Sequence, residues 1–121
     1  MDTTRMRTWA EIDLTALEHN YRTLRAMLPR ECRFLGLCKA NAYGHGAAVI
    51  GHTLERLGAD MLAVACVSEA EELRQSGVKL PILCLGETPE ELIPLLLELD
   101  VTQMVERSEE RRVGKECRSR W

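Results

Sequence analysis

The segment Lys39-Ala-Asn-Ala-Tyr-Gly-His-Gly46 gathers the residue types best suited to chemistry. It follows the apolar run Phe34 to Cys38 and precedes a helical pattern that starts around Gly46. This order puts Lys39 at the C-terminal end of a parallel strand, the edge at which α/β proteins bind ligands. A neutral amine there attacks a carbonyl carbon, and pyridoxal phosphate, an aldehyde, is a natural partner for such a lysine. Tyr43, four residues on, could give its hydroxyl to the phosphate of the same molecule. Gly44 and Gly46 allow a tight turn into the helix, whose first amides are open to an anion. Taken singly these signals are weak: a lysine at a strand end is most often solvated, a lone tyrosine usually packs, and Gly-His-Gly can be only a turn.

The remaining polar candidates have structural readings. His45 shapes the turn, His52 lies on the surface or packs, and His19 and Asn20 belong to the first helix. Glu69, Glu71 and Glu72 read as helix capping and a solvated helix face rather than as paired catalytic carboxylates. The five cysteines, Cys32, Cys38, Cys66, Cys84 and Cys117, contain no CxxC pair and their odd number cannot close fully into disulfides, so they read as reduced thiols. Cys38, Cys66 and Cys84 lie in apolar runs and are expected to pack as small hydrophobes. No histidine is spaced with them as a zinc site, and no metal is expected.

The elements that must position Lys39 alternate along the chain. Leu14, Leu17, Tyr21, Leu24 and Leu28 recur at helical spacing, with Asp13 or Thr15 as cap and Pro29 as stop. Phe34 to Cys38 reads as a buried strand, followed by a helix carrying Ala47, Ile50, Leu54 and Leu57 and ending at Gly58. Met61 to Cys66 is the next strand, and Ser68 with Glu71 has capping-box spacing for a helix running to about Gln75 before Gly77. Leu80 to Leu85 is strand; Thr88 as cap and Pro89 as first helical residue open a helix to about Leu99, with Pro94 shortening or bending it. Val101 to Val105 is the last strand signal. Strands separated by helices pair in parallel through right-handed crossovers, so the fold class is α/β. Periodicity leaves two closures open, a doubly wound sheet or the first half of a (β/α)8 barrel.

Composition restricts the partners. A chain of 121 residues with 45% apolar and 29% charged residues suits one globular domain or a piece of a larger one, with an aliphatic core because aromatics make up only 4%. No apolar run is long enough to span a bilayer and Met1 to Thr8 carries no apolar secretory stretch, so no membrane association and a cytoplasmic location are expected. Residues 1–106 hold 10 basic and 16 acidic side chains, whereas 107–121 hold 6 basic and 3 acidic ones. An acidic main body argues against a nucleic-acid partner. The domain expected on this reading is 1–106; 107–121, with only Val113, Cys117 and Trp121 as apolar residues, is expected to be a basic tail that is disordered or non-native.

Read together, the eight residues KANAYGHG resemble the pyridoxal-phosphate attachment motif of the alanine racemases, and WAEIDLTALEHNYR at Trp9 to Arg22 resembles that family's N-terminal signature. The resemblance continues through Gly58 to Asp60, Ser68 to Gly77 and Pro81 to Pro89, covering most of residues 8–105. It implies the first half of a TIM-type (β/α)8 barrel with pyridoxal phosphate at its C-terminal mouth. Lys39 becomes the Schiff-base lysine and base on the D-alanine face, and Tyr43 a phosphate contact. A homodimer is implied as well, in which a tyrosine of the partner subunit is the base on the L face. The implied activity interconverts L-alanine and D-alanine, the latter for peptidoglycan.

Later barrel strands, the arginine facing the pyridine nitrogen and the C-terminal domain with the tyrosine base are absent from the sequence, so the 121-residue chain itself is expected to be an inactive fragment. Two alternatives belong to other classes. One is a non-catalytic pyridoxal-phosphate-binding module; the other is an open-sheet phosphate-binding domain, which requires no covalent bond at Lys39.

Overall fold

The computed structural model describes residues 4–106. Four strands, β1 (Leu35–Leu37), β2 (Met61–Val64), β3 (Ile82–Cys84) and β4 (Val101–Gln103), form one sheet in sequence order. Every neighbouring pair is parallel, with Leu37 level with Ala63, Ala63 with Leu83, and Leu83 with Thr102. The α/β class expected from the alternating pattern is therefore observed. Helix α1 (Leu14–Ala26) precedes β1; the short turn α2 (Lys39–Tyr43) and helix α3 (Ala47–Leu57) link β1 to β2. Helix α4 (Val67–Gln75) links β2 to β3, and a 3-10 turn (Glu90–Leu92) running into α5 (Ile93–Glu98) links β3 to β4. No helix among the described residues is long and apolar enough to cross a membrane.

The core lies between one face of the sheet and these helices. Leu62, Val64, Ile82 and Cys84 from the strands meet Ile50, Leu54, Ala70, Leu73 and Leu96 from the helices. Side chains alternate across a strand, so Leu35 and Leu37 point to the opposite face, where they remain 43% and 37% exposed. Helix α1 buries only Tyr21 fully, whose ring meets Phe34 edge-on at 4.8 Å; Leu14, Leu24 and Leu28 of its expected apolar stripe are exposed.

Charged side chains tie the loops at the N-terminal end of the sheet. The Glu55 carboxylate accepts hydrogen bonds from the Lys79 and Leu80 amides at 2.7 and 2.8 Å. The Arg74 guanidinium donates to the carbonyls of Val78, Leu80 and Leu99 at 2.8 to 2.9 Å, joining α4 to the starts of β3 and β4. Burial lowers the pKa of Arg74, and the nearby Asp100 and Glu55 charges oppose that shift. Such ties at the end away from the strand carboxyl termini serve stability.

One open choice among the expected boundaries is settled and others are corrected. Asp13, not Thr15, caps α1: its Oδ1 accepts from the Thr15 and Ala16 amides at 2.9 and 3.0 Å. Glu18, three residues after Thr15, is drawn instead to Arg22 and Arg56, at 2.8 and 3.4 Å. Thr88 does not cap a helix; its hydroxyl donates to Gln103 Oε1 at 2.6 Å, and regular α-helix begins only at Ile93. Pro94 sits in the first turn of α5, where a proline lacking an N–H is tolerated, so it marks the helix start rather than a bend. The expected basic tail, 107–121, lies outside the described residues.

Candidate functional site

The lysine-bearing turn has an unusual backbone. Ala40, Asn41, Ala42 and Tyr43 all have positive φ, 52°, 55°, 53° and 55°, so the chain leaves β1 through one left-handed helical turn. An L-residue in this conformation costs about 1 to 2 kcal/mol, because Cβ crowds the following carbonyl oxygen. Four in succession need support from outside the turn, and such strain gathers at functional sites.

The support can be traced residue by residue. Cys38, at the end of β1, donates its amide to the Ala63 carbonyl of β2 and accepts at its own carbonyl from Ala42. The Asn41 side chain accepts from the Ala47 amide at 2.8 Å and so serves the orphan N–H at the start of α3. His45 Nδ1 donates to the Ala42 carbonyl at 2.9 Å, which gives it the turn-shaping role expected from the sequence. Ala42 itself is buried in the core. Gly44, at φ 85°, ends the turn, where any side chain would extend the strained run to a fifth residue.

Glu69 was expected to serve in helix capping and on a solvated helix face, and its side chain reaches further than that reading foresaw. Its Oε1 accepts from the Ala40 amide at 2.8 Å and its Oε2 from the Ala65 amide at 2.7 Å. One carboxylate thus bridges the residue after Lys39 to the loop after β2. The expected Ser68 and Glu71 capping box is absent because α4 is capped two residues earlier, at Cys66, without a side-chain cap bond. Glu69 is therefore the residue three after the cap, reaching back toward the chain that enters the helix, as glutamate in that position commonly does. The available signal was the Cys66 and Glu69 spacing, hidden by running the second strand to Cys66 when it stops at Val64.

The C-terminal edge of the sheet is drawn together elsewhere as well. Gly86, just past β3, donates its amide to the Ala65 carbonyl at 3.0 Å, and a Cβ at this position would lie 2.4 Å from that oxygen. Only glycine lets the loops after β2 and β3 approach this closely. Gln103, at the end of β4, donates through Nε2 to the carbonyls of Gly86 and Met104 at 2.7 and 2.8 Å. Gln103 was not singled out in the sequence, because it forms no part of a recognisable motif, and Thr88 was read there only as a helix cap.

Lys39 is half-buried at this edge, with Nζ 6.0 Å from the centroid of the Tyr43 ring, at the outer range of a cation–π contact. The two residues predicted to work together therefore face each other across the turn, and Tyr43 is 58% exposed. An amine and a phenolic hydroxyl on one rim match the two functional groups of an aldehyde phosphate. The cysteines offer no rival nucleophile in the core. Burial pushes the Cys38 thiol up to about 11 and also raises that of Cys84, so both stay protonated at neutral pH. Cys66, expected in the core, is exposed, since β2 has ended before it. Cys117 lies outside the described residues, among which no cluster of potential metal ligands occurs.

Comparison with known proteins decides the family. Residues 12–119 match the family described as alanine racemase, N-terminal domain. This chain belongs to that family. An alanine racemase of Desulfovibrio desulfuricans is 41% identical over 97 residues, which are 80% of this chain and 26% of that protein. One from Clostridium novyi is 47% identical over 97 residues, covering 80% of this chain and 25% of its own length. The solved alanine racemase of Clostridium difficile superimposes with a TM-score of 0.88 at 40% identity, covering 91% of this chain and 29% of that one. The chain thus spans about a quarter of the length of these curated relatives. Of the two arrangements left open by periodicity, the first half of a barrel is the one supported: four parallel strands with their helices match the N-terminal half of the alanine racemase barrel.

Proposed function

We propose that this segment belongs to a pyridoxal-phosphate-dependent enzyme that interconverts L-alanine and D-alanine, providing D-alanine for peptidoglycan as a cytoplasmic homodimer. The observation that carries the reading is the position of Lys39, a half-buried amine at the carboxyl end of β1 on a strained turn braced from β2 and α4. Lys39 and Tyr43 would hold the cofactor, the amine at its aldehyde and the hydroxyl at its phosphate. When bound, this cofactor delocalises the negative charge left on the substrate α-carbon. The Lys39 amine, when not bonded to the cofactor, would serve one face of the α-carbon, accepting its proton in one direction of the reaction and donating one in the other. A second base on the opposite face is needed because one base tends to return the proton to the side it left. The family resemblance assigns that role to a tyrosine of the partner subunit.

The full-length enzyme should racemise L-alanine, lose the activity when pyridoxal phosphate is stripped, and regain it on readdition. Racemisation that persists unchanged in the stripped protein would overturn the proposal. Tyr43→Phe tests the phosphate contact separately. A hydrogen bond to a charged group contributes about 1.5 to 3 kcal/mol, so cofactor affinity should fall roughly ten- to a hundredfold. The ring would still stand beside Lys39. Unchanged affinity, measured by titrating cofactor into stripped enzyme, would leave Tyr43 without a phosphate role.

A further inference from the structure

We infer that Glu69 is a positioning residue for Lys39, its carboxylate holding the lysine-bearing turn in register with the end of β2. The inference rests on the proposed role of Lys39 and adds to it the part that fixes where the amine stands. The Ala40 amide that Glu69 Oε1 accepts belongs to the residue immediately after Lys39 and to the first of four left-handed residues. The other oxygen accepts from Ala65, directly beyond β2. Ala65 also accepts the Gly86 amide at its carbonyl, so the same peptide segment ties the turn to the loop after β3.

Glu69 lies in the first turn of α4, where the helix dipole favours a negative charge, and its helix is anchored through the buried Val67, Ala70 and Leu73. A rigid helix thereby reaches across to a strained turn through a single side chain. Both carboxylate oxygens are engaged by backbone N–H groups, which suits bracing rather than proton transfer. A glutamine cannot replace it fully: one amide oxygen accepts one N–H, and the NH2 group meets the other N–H as donor against donor.

The test traps the covalent bond rather than relying on turnover. The lysine amine condenses with the aldehyde of pyridoxal phosphate with loss of water. Borohydride then adds hydride to the imine carbon and solvent protonates the nitrogen, leaving a secondary amine that peptide mapping can locate. In the full-length enzyme at limiting cofactor, the ratio of adduct at Lys39 to adduct at Lys79 reports how well the amine is placed. Lys79 is exposed and lies before β3, at the other end of the sheet.

Glu69→Ala should lower that ratio by about tenfold or more, and Glu69→Gln by a smaller factor, as expected for two and one lost charge-assisted bonds. Amide hydrogen exchange at Ala40 and Ala65 should quicken in both variants. Glu72→Ala, on the exposed side of the same helix, should change neither readout. A folded Glu69→Ala enzyme with the original ratio and original exchange at both amides would overturn the inference. If that variant does not fold, the same two measurements on Glu69→Gln decide it, with unchanged values again overturning it. Equal labelling of Lys39 and Lys79 in the unsubstituted enzyme would instead remove the cofactor role of Lys39, and the inference with it, even with both amides protected.

Discussion

Lys39→Ala in the full-length enzyme is expected to lower racemisation by at least about a thousandfold while the fold persists. The magnitude follows from losing two roles together, the covalent attachment of the cofactor and a proton carrier, the latter alone contributing about 10²- to 10⁴-fold. Persistence of the fold follows from where the supports attach. Glu69 grips the Ala40 main chain, Asn41 caps α3, and Cys38 pairs its backbone with Ala63, so none of these contacts uses the Lys39 side chain. The side chain is half-buried and outside the aliphatic core, so its loss opens no large cavity. Thermal unfolding should stay close to that of the unsubstituted enzyme, and borohydride should leave no adduct at position 39. Turnover within tenfold of the original would remove Lys39 from the chemistry. An adduct spread over Lys79 and Lys115 in the unsubstituted protein would do the same.

What the sequence revealed of this site depended on the kind of signal each residue leaves. Apolar runs marked all four strands because a buried parallel strand needs such residues over its whole length. Their ends were drawn too long, since Phe34, Leu80 and Val105 remain apolar beyond the last ladder pair. The family motif marked Lys39 and Tyr43, but the left-handed turn between them left no local signal. Alanine is the best right-handed helix former, so Ala40 and Ala42 point by propensity to the opposite hand. Side-chain bonds that no propensity announces hold the conformation, from Asn41 and His45 nearby and from Glu69 to Ala40 across 29 residues. The contact of Thr88 with Gln103 was likewise hidden, since it joins residues 15 apart in sequence.

The 121-residue chain by itself should be marginally stable, prone to self-association, and without measurable alanine racemisation even with added pyridoxal phosphate. Among the described residues, β1 and β4 each pair on one side only, which leaves two sheet edges with free backbone groups. These edges are three residues long, and short edges are weak templates for pairing. The inner face of the sheet is the larger liability. Leu35 and Leu37 stand 43% and 37% exposed there, and covering them would stabilise an associated state by roughly 1 kcal/mol each. No charged residue interrupts β1, so nothing on that strand opposes contact with the same surface of a second copy. In a closed barrel the facing strands would cover this surface and pair both edges. Sedimentation across a concentration series should therefore show species larger than the monomer, and denaturant unfolding should be broad. Conversion of L-alanine should not exceed that of a Lys39→Ala control, because the second base required for inversion is missing from this chain on the proposed reading. A monomer at all concentrations with a sharp, single unfolding transition would show that these helices suffice to stabilise an open sheet. Conversion above the control would show that residues within these 121 supply both bases.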